Sequence, residues 1–130
     1  MLQTRSQRYA GHAHALVLQV KGQPDQDKYK SLARNLPVLI RTAGLAQALA
    51  FADSPSAEPM HRTLLTHLNE SVNAGKSLSA ACRTAQLSEY MRLTRDTLDA
   101  LLWFKRFAES ILDDDAGKQT AMEKTREGPQ

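Results

Sequence analysis

The chain has 130 residues, enough for one small hydrophobic core. It is 42% hydrophobic but only 5% aromatic and sparse in β-branched residues, which favours helix over sheet. The formal charge of +3 is unevenly placed: residues 113–130 hold five acidic and three basic residues, a net of −2, so the other 112 hold 14 basic and 9 acidic residues, a net of +5. A lone Cys82, no signal-peptide pattern behind Met1 and no apolar run near the roughly 20 residues of a membrane span argue against a disulfide scaffold and a membrane protein, and fit a reducing cytoplasm.

In chain order, a first helix is expected from about Thr4 to Lys21, because Tyr9, Ala13, Leu16, Val17 and Val20 recur at spacings of three and four. Gly22 and Pro24 end it, and Asp25 and Asp27 sit where carboxylates favour the start of a second helix. Pro37 is expected to break or kink that helix and to open another, PVLIRTAGLAQALAFAD. On a wheel from Leu36 only Arg41, Thr42 and Gln47 interrupt apolar or small residues, so this segment either lies at the centre of the core or sits beneath a partner.

DSPSAEP, from Asp53 to Pro59, reads as a loop whose second proline opens the next helix, with Met60, Leu64, Leu65, Leu68 and Val72 on one face and an end near Gly75. A short helix around Ser79–Ala85 follows. The longest pattern runs from Ser88 to Leu112, where Tyr90, Leu93, Leu101, Phe104, Ala108, Ile111 and Leu112 share a side that Met91, Leu98, Leu102 and Phe107 widen to more than half the circumference. The remaining arc holds Arg92, Arg95, Asp96, Asp99 and Arg106. Trp103 projects among these, and is either covered by another segment of the chain or forms a contact surface for a partner. The expected architecture is a compact all-α, single-domain bundle of about five to seven helices over residues 1–113, packed around this last helix, with a flexible polar tail over 114–130.

Catalytic chemistry finds little support. His12 and His14 are two apart and His61 and His67 six apart, neither matching the three or four that lets one helix face share a metal. Cys82 lies in the small-residue segment SAACRTA, Asp113, Asp114 and Asp115 lead into the tail, and the scattered glycines form no phosphate loop or dinucleotide fingerprint. No catalytic residue, metal site or cofactor is assigned. The cations are more suggestive: Lys30, Arg34 and Arg41 fall in one helical row and Arg92, Arg95 and Arg106 in a second, with Lys105 beside it. Such rows either track a phosphate backbone, with Trp103 or Tyr29 stacking on a base, or form a solvated face paired with Asp96 and Asp99.

Two blocks, YKSLARNLPVLIRTAGLAQALAF and YMRLTRDTLDALLWFKRFAESIL, resemble the small all-helical subunit of the Cmr (type III-B) CRISPR effector complex. That resemblance implies a non-catalytic protein that stacks in copies beside a filament of backbone subunits carrying guide RNA, in a complex that also has a large subunit. The small subunit then offers end-to-end protein contacts and a basic surface to the target RNA, with sequence read by pairing to the guide. Joined to the helical rows above, the resemblance makes Lys30, Arg34, Arg41, Arg92, Arg95, Lys105 and Arg106 the candidates for RNA contact and Trp103 the candidate for a partner subunit. The competing class is a helical protein–protein adaptor with no nucleic-acid role.

Overall fold

The computed structural model describes residues 2–54 and 57–112. Six helices are found among them: α1 (Arg5–Val20), α2 (Gln26–Ala43), α3 (Leu45–Ala52), α4 (Pro59–Val72), α5 (Leu78–Thr84) and α6 (Leu87–Ile111), and no strand. The expected tail and part of the DSPSAEP loop lie outside the described residues.

Local chemistry explains most boundaries. Thr4 and Gln7 form a reciprocal capping box on α1: the Gln7 N–H donates to Thr4 Oγ1 at 3.0 Å and the Thr4 N–H donates to Gln7 Oε1 at 2.8 Å. Pro59 opens α4 in the first turn, where its missing N–H costs nothing. Ala74 and Gly75 leave α4 with positive φ, and the Asn69 side chain accepts the Leu78 N–H at 2.9 Å, coupling that exit to the start of α5. Asp25 makes no side-chain capping bond at the start of α2, contrary to the expectation for that carboxylate.

Of the break or kink expected at Pro37, the break does not occur: α2 runs through it, and the chain turns instead at Gly44, whose φ is +90°. A proline forfeits one ladder bond, but Leu36, Pro37 and Ile40 are all buried, and that packing holds the helix together. Tyr90 of α6 marks the real break. Its hydroxyl accepts the Ala46 N–H at 3.0 Å, supplying one of the partners that the start of α3 lacks, and a Cβ at Gly44 would lie 3.3 Å from the same oxygen. The turn splits the apolar segment into two buried sets, Leu36, Pro37 and Ile40 before it and Leu45, Ala48, Leu49 and Ala52 after it. Most of the segment is therefore core, with Val38 and Phe51 left at the surface.

Helix α6 is the central element, packed most extensively against α1 and α2 and also against α4. Leu93, Ala100, Leu101, Phe104 and Ala108 are buried along it, whereas Met91 and Leu102, expected to widen this face, are exposed. At the centre the Tyr29 hydroxyl of α2 shares a hydrogen bond with Nδ1 of His67 on α4 at 2.8 Å, and the His67 ring stacks on Phe104 of α6 at 6.2 Å. Tyr29 is fully buried in this contact and so does not serve as the base-stacking residue considered from sequence. Burial raises the Tyr29 hydroxyl above its ordinary range and lowers the imidazole of His67, keeping both neutral.

Two outcomes follow for stability. Gly44→Ala combines a positive φ with a tight approach to Tyr90 and is expected to lower unfolding free energy by more than about 1 kcal/mol, read from the urea midpoint. Because His67 takes up its proton more readily when unfolded, its contribution is present above the unfolded imidazole value of about 6.5 and declines as pH falls from there towards the folded value. His61 is shifted the same way, so the test is a fall in thermal midpoint between about pH 7 and 5 that is reduced in His67→Phe.

A candidate nucleic-acid and partner surface on α1 and α6

The polar arc of α6 keeps Arg92, Arg95 and Arg106 exposed but buries one carboxylate. Asp96 is 5% exposed and lies under α1, where Arg5 Nη1 donates to its Oδ1 at 2.7 Å and Arg92 Nη1 to its Oδ2 at 3.0 Å; Arg95 Nε approaches Oδ1 at 3.5 Å. Arg5 also reaches Asp99 Oδ2 at 2.6 Å, and Arg92 pairs with Glu89 one turn earlier. The hydrogen bond from Arg92 holds the Glu89 carboxyl below the usual carboxylate range. This cluster belongs to both helices: Arg5 comes from the first turn of α1, 91 positions from Asp96.

Trp103 lies further along the same seam, partly covered. Its Nε1–H donates to Ser6 Oγ at 3.1 Å, its ring stacks on Phe107 at 5.9 Å, and Arg106 lies over it at 5.2 Å. Phe107 in turn meets His14 of α1 edge-on at 5.1 Å. Cover from the same chain thus accounts for the Nε1 edge and part of the ring face, and the rest of the tryptophan lines a shallow recess with Leu102, Thr4 and Tyr9.

The seven cations singled out from sequence do not form two continuous rows. Lys30 is buried, and its Nζ donates to the Leu112 carbonyl at 3.2 Å, closing the end of α6. Arg34 pairs with Glu109 at 3.3 Å, tying α2 to α6. Arg41 is exposed and makes no ion pair among the described residues. In the second row Arg92 is held by two carboxylates, Arg106 rests on Trp103, and Lys105 is half-buried.

Sequence reading passed over α1. Arg5, Arg8 and His12, at spacings of three and four, line a cleft opposite Arg92, Arg95 and Asp96, with Ser71 and Val72 of α4 closing one side. That spacing was a usable signal, but only the fold sets it against α6. The histidines are dispersed over α1 and α4, and among the described residues no group of three or more His, Cys, Asp or Glu side chains is placed to hold a metal ion. Cys82 is buried, and burial raises its thiol above the ordinary range. No helix is long and apolar enough to cross a membrane among the described residues.

A small all-α bundle with a cationic cleft and a neighbouring aromatic seam is the class that fold and surface define. A family model described as CRISPR-associated protein (Cas_Cmr5) matches residues 5–111, nearly the whole bundle. The CRISPR system Cmr subunit Cmr5 of Thermus thermophilus is 40% identical over 115 residues, covering 87% of this chain and all of that protein. A crystal structure of a CRISPR-associated Cmr5 family protein from the same organism superimposes with a TM-score of 0.80 at 39% identity, covering 86% of this chain and all of the other. The chain belongs to the Cmr5 family.

Asp96→Ala should expose how far the bundle relies on the cluster. It leaves Arg5 and Arg92 without their shared buried acceptor, and a loss of about 2–3 kcal/mol in unfolding free energy is expected. Arg95→Ala, which removes only the long outer contact, should change stability by less than about 0.5 kcal/mol.

Proposed function

We propose that this chain is the small, non-catalytic subunit of a CRISPR Cmr ribonucleoprotein, stacking in copies beside the backbone and large subunits and contacting the target RNA strand opposite the guide RNA. The observation that carries this reading is the family match across nearly the entire bundle, joined to a surface that concentrates arginine on α1 and α6. Contacts to phosphate need no base readout, so recognition of sequence falls to pairing with the guide. From the cations named in the sequence, Arg41 and Arg95 retain the most freedom to meet a strand; Lys105 and Arg106 flank Trp103, and Lys30 and Arg34 contribute mainly by fixing α2 on α6. Trp103, Leu102, Val38 and Phe51 offer surfaces to neighbouring subunits, Leu102, Val38 and Phe51 being exposed outright.

One feature favours the adaptor alternative: Arg92 and Arg34 already have carboxylate partners within the chain. The two readings separate in a Cmr complex assembled with and without this subunit and titrated with labelled target strands of unrelated sequence. Strand binding predicts weaker capture without the subunit for every sequence, and a salt dependence that loses roughly 0.7 in slope per missing phosphate contact. Equal affinity and equal slope with and without it would leave only the adaptor role. Incubated alone with RNA and Mg²⁺, the protein should yield no cleavage above a buffer control.

A further inference from the structure

We propose that residues 113–115 of one copy, three consecutive aspartates, dock into the cleft between α1 and α6 of a second copy, with Arg8 and Arg95 as their partners. The contact goes beyond the subunit reading, because the segment that makes it lies past residue 111, where the family match ends. It forms between free copies of the chain and needs no other subunit.

Two of the four arginines lining the cleft are already engaged. Arg5 donates to Asp96 and Asp99, and Arg92 to Asp96 and Glu89. The other two have capacity left. Arg8 is exposed and makes no side-chain hydrogen bond or ion pair among the described residues. The Arg95 side chain is 62% exposed, and its one carboxylate contact is a long 3.5 Å to the Asp96 oxygen that Arg5 also uses. Guanidiniums gathered in one cleft repel one another, and an added anion relieves that repulsion. A carboxylate matches the planar fork of each arginine.

The aspartates, for their part, are poorly placed within a single copy. They follow the C-terminus of α6, the end at which the helix dipole disfavours negative charge. One cation, Lys30, stands at the Leu112 carbonyl, against three successive carboxylates. Three residues of chain extend about 10 Å past Leu112, whereas Arg95 lies about 25 Å back along α6, so the aspartates do not reach the cleft of their own copy. Glu123 and Glu127 have the reach, but Lys124 and Arg126 between them cancel their charge.

A second copy removes the difficulty. Helices α1 and α6 run in the same direction, since Arg5 meets Asp96 and Asp99 while His14, further along α1, meets Phe107, further along α6. The four arginines therefore lie towards the end of the bundle where both helices begin, and the aspartates leave from the opposite end of α6. Copies placed head to tail bring the acidic end of one to the basic end of the next, and each added copy leaves one end of each sign unused, so the contact repeats. An RNA strand is drawn to the same arginines and displaces the segment, so this docking belongs to copies without a strand.

The test uses the purified full chain and reads its association constant by sedimentation equilibrium. Wild type should self-associate at about 0.05 M salt and return to the 14.4 kDa monomer at about 0.5 M, where exposed charges are screened within a few ångströms. Arg8→Glu/Arg95→Glu and Asp113→Lys/Asp114→Lys/Asp115→Lys should each lower the low-salt association constant by roughly tenfold or more, and a chain carrying both sets should regain it. Helix content and thermal midpoint are measured for every variant, and recovery in the combined variant separates a lost charge contact from a folding defect, which a second set of changes does not repair. A wild-type chain that stays monomeric at low salt would overturn the proposal. So would association that ignores salt and both reversals, as an apolar contact through Val38 and Phe51 would, or losses in the two single sets with no recovery when they are combined.

Discussion

Covering α6 is the constraint on which the molecule depends. A 25-residue helix with apolar side chains over more than half of its circumference cannot be sheltered by one neighbour, and α1, α2 and α4 each take a share. The cover differs in chemistry by side. Against α2 and α4 it is apolar at the centre, where Phe104 stacks on His67 and the Tyr29–His67 hydrogen bond satisfies the polar atoms, with Arg34–Glu109 and Lys30 at its end. Against α1 it includes a buried carboxylate, and Asp96 is tolerable there because two arginines from different helices donate to it. A hydrophobic residue at that position would pack as well. The ionic solution also fixes where Arg5 and Arg92 stand, and so shapes the cationic edge of the cleft.

Much of this was legible in the residues alone. Period-3.6 patterning marked α1, α4 and α6 to within a residue or two, apart from the end of α4, because each presents one uninterrupted apolar stripe and ends at Gly22, at Gly75 or beyond Leu112. Pro37 was misleading because a proline penalty is local and a few kcal/mol, which burial of Leu36 and Ile40 against neighbouring helices exceeds. Gly44 was the true break, and its signal lay 46 positions away in the Tyr90 hydroxyl that approaches it.

The functional surface was less legible, for a related reason. Charged residues at helical spacing show which face they share, but not whether a neighbour brings an opposite charge to it. Lys30 looked like the start of a row and is instead buried over the Leu112 carbonyl; Asp96 looked solvated and is the best-shielded carboxylate in the α1–α6 seam. Arg8 attracted no notice because α1 has few features beyond its apolar stripe. Only tertiary placement brings Arg8 and Arg95 to the lining of one cleft. Trp103 falls between: its exposure on a polar arc was evident, whereas its partial cover by Ser6, Phe107 and Arg106 required the fold.

In the proposed arrangement the α1–α6 seam is the main face toward nucleic acid, with Arg41 of α2 as a further contact, and the apolar α2–α3 surface around Val38 and Phe51 is left to protein neighbours. Photo-crosslinking of 4-thiouridine-substituted target RNA in the assembled complex, followed by mass spectrometry of the adducted peptides, addresses this directly. Adducts on peptides containing Arg8 and His12 of α1 or Arg95 of α6 are the predicted result. Adducts confined to the α2–α3 segment from Lys30 to Phe51, with none on α1 or α6, would contradict it.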